Sequence, residues 1–115
     1  MTAGRQATGR WGEAQTARWY EGQGYTVLAR NWRVPGGELD LIVARGREIV
    51  FCEVKSRSST AFGPPAEAVT AGKQARIRRL ALRWLSDDHR SWEAIRFDVA
   101  CVVRGQLTEV IESAF

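Results

Sequence analysis

Apolar residues gather in five strand-like stretches of this chain, cleanly alternating in one of them, and recur at helical spacing in a helix-like stretch between the third and fourth. Gln6 to Gly22 reads as a helix, rich in alanine and long side chains and stopped by Gly22 and Gly24. Its apolar stripe is weak, because Trp11 and Trp19 fall away from Ala17 and Tyr20. Tyr25 to Arg33, Glu38 to Ala44 and Glu48 to Lys55 read as strands, joined at Pro35-Gly36-Gly37 and Arg45-Gly46-Arg47. Ser56 to Gly63 is polar and irregular, and Pro64-Pro65 opens a short helix over Ala66 to Ala71. A longer helix spans Gly72 to Leu85, with Ile77, Leu80, Ala81, Trp84 and Leu85 on its inner stripe. Ala94 to Val103 alternates cleanly, with Ile95, Phe97, Val99, Cys101 and Val103 on one face, and Gln106 to Ile111 is a last strand.

The resulting order is α-β-β-β-α-β-β. A meander followed by a crossover helix and a further strand predicts a mixed sheet flanked by helices, an α/β fold that is α+β by strict definition. The 115 residues, 44% hydrophobic and 26% charged, suit one globular domain over residues 1–115. No apolar run is long enough for a membrane span, and Met1 to Arg10 has no apolar signal core. The expectation is a cytoplasmic protein. Cys52 and Cys101 lie in apolar runs and read as buried free thiols. His89, the sole histidine, reads as a solvated loop residue.

Charge changes this picture modestly. The chain has 17 basic and 13 acidic residues, net +4, with a pI near 9.7. That surplus suits a polyanionic partner, DNA first. A coding bias toward arginine explains it equally well. The arginines do have a pattern: Lys73, Arg76, Arg79 and Arg83 share one side of the second helix.

The acids are more informative. Asp40 interrupts Leu39 to Val43, and Glu53 interrupts Val50 to Val54. A carboxylate among apolar strand neighbours is costly if buried without a partner. Glu53 and Lys55 share a strand face, roughly 7 Å apart at Cα. Glu38 and Asp40 share another by the same rule. If the hairpin turns Asp40 and Glu53 the same way, two carboxylates and one ammonium meet. Such a group suits a hard cation such as Mg²⁺, with water and substrate phosphate completing its shell. A structural ion pair would use the same residues. Glu13 stands at i, i+4, i+7 with Ala17 and Tyr20, beside the inward side of the first helix. Asp98 reads as a structural partner of Arg96.

Gly12-Glu13, Asn31-Trp32-Arg33, Gly37-Glu38-Leu39-Asp40-Leu41-Ile42 and Val50-Phe51-Cys52-Glu53-Val54-Lys55-Ser56-Arg57 form a longer pattern with Phe62-Gly63, Lys73, Arg96-Phe97-Asp98 and Ala114-Phe115. Together they resemble the YraN-type bacterial family, which is similar to archaeal Holliday-junction resolvases of the PD-(D/E)-x-K nuclease superfamily. The resemblance covers nearly the whole chain. It implies a restriction-endonuclease-like α-β-β-β-α-β core and a metal-dependent nuclease acting on DNA, with branched or damaged DNA as candidate substrates. Asp40 and Glu53 would bind Mg²⁺ (or Mn²⁺), Lys55 would be the catalytic lysine, and Glu13 an extra acid on the first helix. Glu38 and Gln74 would support the site. Arg57, Lys73, Arg76, Arg79 and Arg83 would hold the DNA backbone. Two departures stand out. Leu39 replaces the superfamily's proline before the aspartate, and Gln74 is followed by Arg78 where related exonucleases carry tyrosine. Homodimerisation is an expectation by analogy with resolvases, which cut two strands. The alternative is a non-catalytic nucleic-acid-binding or protein-interaction module on the same fold. A metabolic enzyme is not supported, since the chain has no phosphate-binding glycine loop, Cys/His dyad or cofactor fingerprint.

Overall fold

A computed structural model describes residues 2–57 and 69–115, with side chains from Arg10 onward. The elements run α1 (Thr2–Gly22), β1 (Thr26–Val34), β2 (Gly37–Arg45), β3 (Glu48–Arg57), α2 (Ala71–Ser86), β4 (Ala94–Val103) and β5 (Gln106–Ile111). The sheet order is β1-β2-β3-β4-β5. All neighbours are antiparallel except β3 and β4, which are parallel and therefore need the crossover that α2 supplies. This is the α+β fold expected from the pattern, with a core order compatible with a restriction-endonuclease-like arrangement.

The two helices cover opposite faces. Ala17 and Tyr20 of α1 pack with Leu41, Val43, Val50, Cys52 and Ala100. Ile77, Leu80 and Ala81 of α2 pack with Ile42, Phe51, Phe97, Val99 and Cys101. Period-2 alternation along β2 to β4 thus feeds two apolar layers, and the strands are buried on both sides. Cys52 and Cys101 are free, buried thiols on opposite faces, and His89 is exposed.

Ser58 to Ala68 lie outside the described residues, so Phe62-Gly63 and most of the short helix expected over Ala66 to Ala71 are not described. Its end is not helical. Val69 and Thr70 are extended or bent, because Thr70 caps α2 with φ −65° and ψ 163° and its hydroxyl accepts from Lys73 N at 3.3 Å. A cap of this kind requires extended backbone. A second difference is Ile95, expected on the core face but 49% exposed. Pairing between β5 and β4 begins only at Val99, so the first residues of β4 run past the covered part of the sheet.

Gly37 opens β2 with φ 147°, a region reserved for glycine, and a Cβ there would lie 3.0 Å from Leu80 Cδ1. Gly37→Ala should destabilise the protein by about 1–3 kcal/mol, read as a lower urea midpoint at unchanged slope. An unchanged midpoint would show that the turn relaxes freely.

Candidate functional site

The pairing of β2 with β3 ends at Leu41↔Cys52. Asp40 comes next on β2 and is 9% exposed. Its Oδ2 accepts a hydrogen bond from Val54 N at 2.9 Å. The carboxylate therefore takes a backbone donor where the ladder has stopped, as a buried N–H demands. Asp40 also hydrogen-bonds the Glu53 carboxyl. Lys55 Nζ lies 3.6 Å from Glu53 Oε1, and both side chains are about four-fifths buried, at 20% and 19% exposure. The two carboxylates and the ammonium thus meet at the end of the β2–β3 hairpin.

Burial pushes the Glu53 carboxyl up to about 7, with the Asp40 charge adding to the rise and Lys55 opposing it. Burial also raises Asp40, against the pull of the Val54 N–H. With Glu53 raised to about 7, the pair carries less than its formal two charges as pH falls below neutral.

Glu13 approaches from α1. Burial raises its carboxyl, the nearby Asn31 side chain opposes the rise, and the charges of Asp40 and Glu38 add to it. Gly12 makes the close approach possible: a Cβ there would lie 3.1 Å from Val102 Cγ2 and 3.4 Å from Ser56 Oγ. Asn31 has no role in the sequence pattern beyond the resemblance. Its backbone is left-handed, with φ 50°, which asparagine tolerates better than most residues. A strand-averse asparagine between Arg30 and Trp32 was the available signal.

The remaining candidates divide. Lys73, in the first turn of α2, stands close enough to Lys55 that the neighbouring ammonium depresses its pKa. Arg76 packs beside Gly37 one turn further on, while Arg79 and Arg83 are exposed along the same flank. Arg57 is two residues beyond Lys55 on β3. Glu38 is exposed and paired with Arg33 at 2.9 Å. Gln74 Nε2 donates to Val69 O at 3.1 Å, fastening the entry to α2 and not the carboxylates. Among the described residues, no three Asp, Glu, His or Cys side chains already form a metal-binding group. Two carboxylates do converge, which is what Mg²⁺ takes from proteins when water and phosphate complete its shell.

Asp98 is structural, as its neighbours suggested. It is fully buried, and Arg96 Nε and Nη2 donate to its two oxygens at 2.8 and 2.9 Å.

A family model described as "Uncharacterised protein family UPF0102" matches residues 12–102. The chain is 51% identical over 100 residues to a UPF0102 protein of Beutenbergia cavernae, covering 87% of this chain and 85% of that one. It is 50% identical over 100 residues to a UPF0102 protein of Frankia alni, covering 87% and 83%. A UPF0102 protein of Nocardia farcinica is 50% identical over 99 residues, covering 86% and 78%.

Proposed function

The chain belongs to the UPF0102 family, and we propose that it is a metal-dependent nuclease hydrolysing DNA phosphodiester bonds, with branched or damaged DNA as its substrates. The observation that carries this reading is the meeting of Asp40, Glu53 and Lys55 at one point of the sheet. Mg²⁺ or Mn²⁺ fits this donor set. Two buried carboxylates that repel one another and retain a proton are a poor resting arrangement, and a divalent cation relieves both the repulsion and the burial. When bound, it supplies Lewis acidity and a water of lowered pKa.

The chain's own groups do the rest. Asp40 is held by Val54 N–H, which fixes the orientation of its carboxylate. Glu53 must give up its proton to ligate. Lys55, beside Glu53, balances the negative charge that develops on the phosphate. Glu13, beside Asn31, extends the acidic wall from α1. Lys73 adds a second ammonium on the α2 side, and Arg57, Arg76, Arg79 and Arg83 contact backbone phosphates, giving salt-sensitive affinity. A homodimer would set two such sites on two strands, and a cytoplasmic location gives access to the chromosome.

The test is cleavage of linear, nicked and four-way DNA with Mg²⁺ or Mn²⁺, comparing wild type with Glu53→Ala. Wild type should cut and the variant should not. Equal activity in both assigns the cleavage to a contaminant. Silence on every substrate, with DNA binding retained, replaces the nuclease by a binding module.

A further inference from the structure

Three large apolar residues among those described are exposed: Trp11, Leu82 and Ile95. Two of them, Leu82 and Ile95, line one cleft of about 390 Å³ between the last turns of α2 and the start of β4. Leu85, Phe97 and Phe115 complete its apolar wall. Leu82 is 67% exposed and Ile95 49%. A cleft of this size lies at the lower end of the roughly 300–1,000 Å³ of ligand pockets, enough for one or two side chains.

Arg78 stands at the same cleft. Its guanidinium stacks over Phe97 at 4.7 Å and Phe115 at 5.6 Å from the ring centroids. No carboxylate of the described residues forms an ion pair with it, whereas Arg96 nearby is committed to Asp98 and Glu48. Contact with two ring faces holds the guanidinium at the cleft and leaves N–H groups for an outside acceptor. A carboxylate matches the guanidinium fork with two parallel hydrogen bonds.

We propose that this cleft docks an acidic peptide segment of a partner protein, seating one apolar side chain against Leu82, Leu85 and Ile95 and a flanking carboxylate on Arg78. The chemistry selects this occupant. A DNA backbone brings anions but nothing to fill an apolar floor. A plain apolar segment leaves Arg78 unmatched. The cleft is also separate from the carboxylate site. Lys73 lies in the first turn of α2, and Leu82 and Leu85 follow it by roughly 14–18 Å of helix rise. Leu85 and Arg78 fall on the flank of α2 away from Lys73, Arg76 and Arg83, so a partner held here would leave those three uncovered, with Arg79 beside Leu82 at the boundary.

Fluorescence anisotropy with a labelled peptide, Asp-Glu-Asp-Leu-Phe-Asp-Glu-Gly, tests this on the full chain. Saturable binding is expected, weakened about tenfold or more by Leu82→Asp and by Arg78→Ala, and less by Arg78→Lys, which keeps the charge and loses the fork. Leu82 is exposed, so its variant should melt with wild type, and a thermal scan checks both. Replacing Leu-Phe in the peptide by Ser-Ser should abolish binding. Glu53→Gln should leave the affinity unchanged, which keeps this result independent of any nuclease activity. Equal binding of the Ser-Ser peptide would reduce the interaction to charge alone and overturn the proposal. So would absence of saturation, or a Leu82-dependent dimer of the chain seen by sedimentation.

Discussion

Asp98→Ala should lower stability by about 3–5 kcal/mol, enough to bring the melting temperature of a chain of this size down by roughly 10–20 °C. Asp98 is fully buried and accepts four hydrogen bonds: from Tyr20 Oη at 2.5 Å, Arg96 Nε at 2.8 Å, Arg96 Nη2 at 2.9 Å and Ser113 N at 3.0 Å. Those donors come from α1, from β4 itself and from the segment after β5. Its removal leaves the buried Tyr20 hydroxyl without its acceptor, and burial already pushes that hydroxyl far above its ordinary pKa. Arg96 keeps Glu48 at 3.0 Å but loses its bidentate partner. Asp98→Asn should fall between, since the amide oxygen can still accept. Circular dichroism melts give the comparison. A variant melting within about 3 °C of wild type would mean that Glu48 and solvent satisfy Arg96 unaided.

That network was partly legible beforehand. Arg96 and Asp98 share a strand face by alternation, so their pairing follows from spacing alone. Tyr20 lies 78 residues away in sequence, and no local rule connects it to Asp98. The same division holds across the chain. Strands were readable because both sheet faces are covered, which leaves near-continuous buried apolar runs along β2, β3 and β4. Asp40 and Glu53 stood out because charge interrupts that pattern. Their mutual approach was conditional on register, and it forms where the β2–β3 ladder has already ended, a feature set by Asp40 reaching Val54 N–H. Ile95 obeyed the alternation and still faces solvent, because periodicity reports which side a residue takes and not whether that end of the strand is covered. Arg78 looked like a misplaced motif position in the sequence. In the fold it belongs to a different surface, one assembled from α2, β4 and Phe115.

Glu53→Gln should stabilise the metal-free protein above neutral pH while abolishing its response to Mg²⁺. Folding raises the Glu53 carboxyl from 4.5 to about 7, chiefly by burial. Below pH 4.5 both folded and unfolded chains hold the proton, and the native carboxyl is accommodated at no charge penalty. As pH rises from there toward 7, the unfolded chain releases its proton while the native chain retains it. The native state then binds more protons, so stability falls with rising pH and levels off once the native group ionises. A shift of this size corresponds to about 3 kcal/mol, shared with Asp40 through their common hydrogen bond. The side chain is 19% exposed, so solvent screens it only in part. Glutamine carries no such proton and can still hydrogen-bond Asp40. The difference between wild type and variant in urea midpoint should therefore widen from pH 5 to pH 8 in favour of the variant. Adding Mg²⁺ at pH 8 should raise the wild-type midpoint, because a ligand that binds only the folded state stabilises it by mass action. The variant midpoint should not move. Parallel pH slopes for the two proteins would show that Glu53 ionises normally, and an equal Mg²⁺ response in both would remove Glu53 from the ligand set.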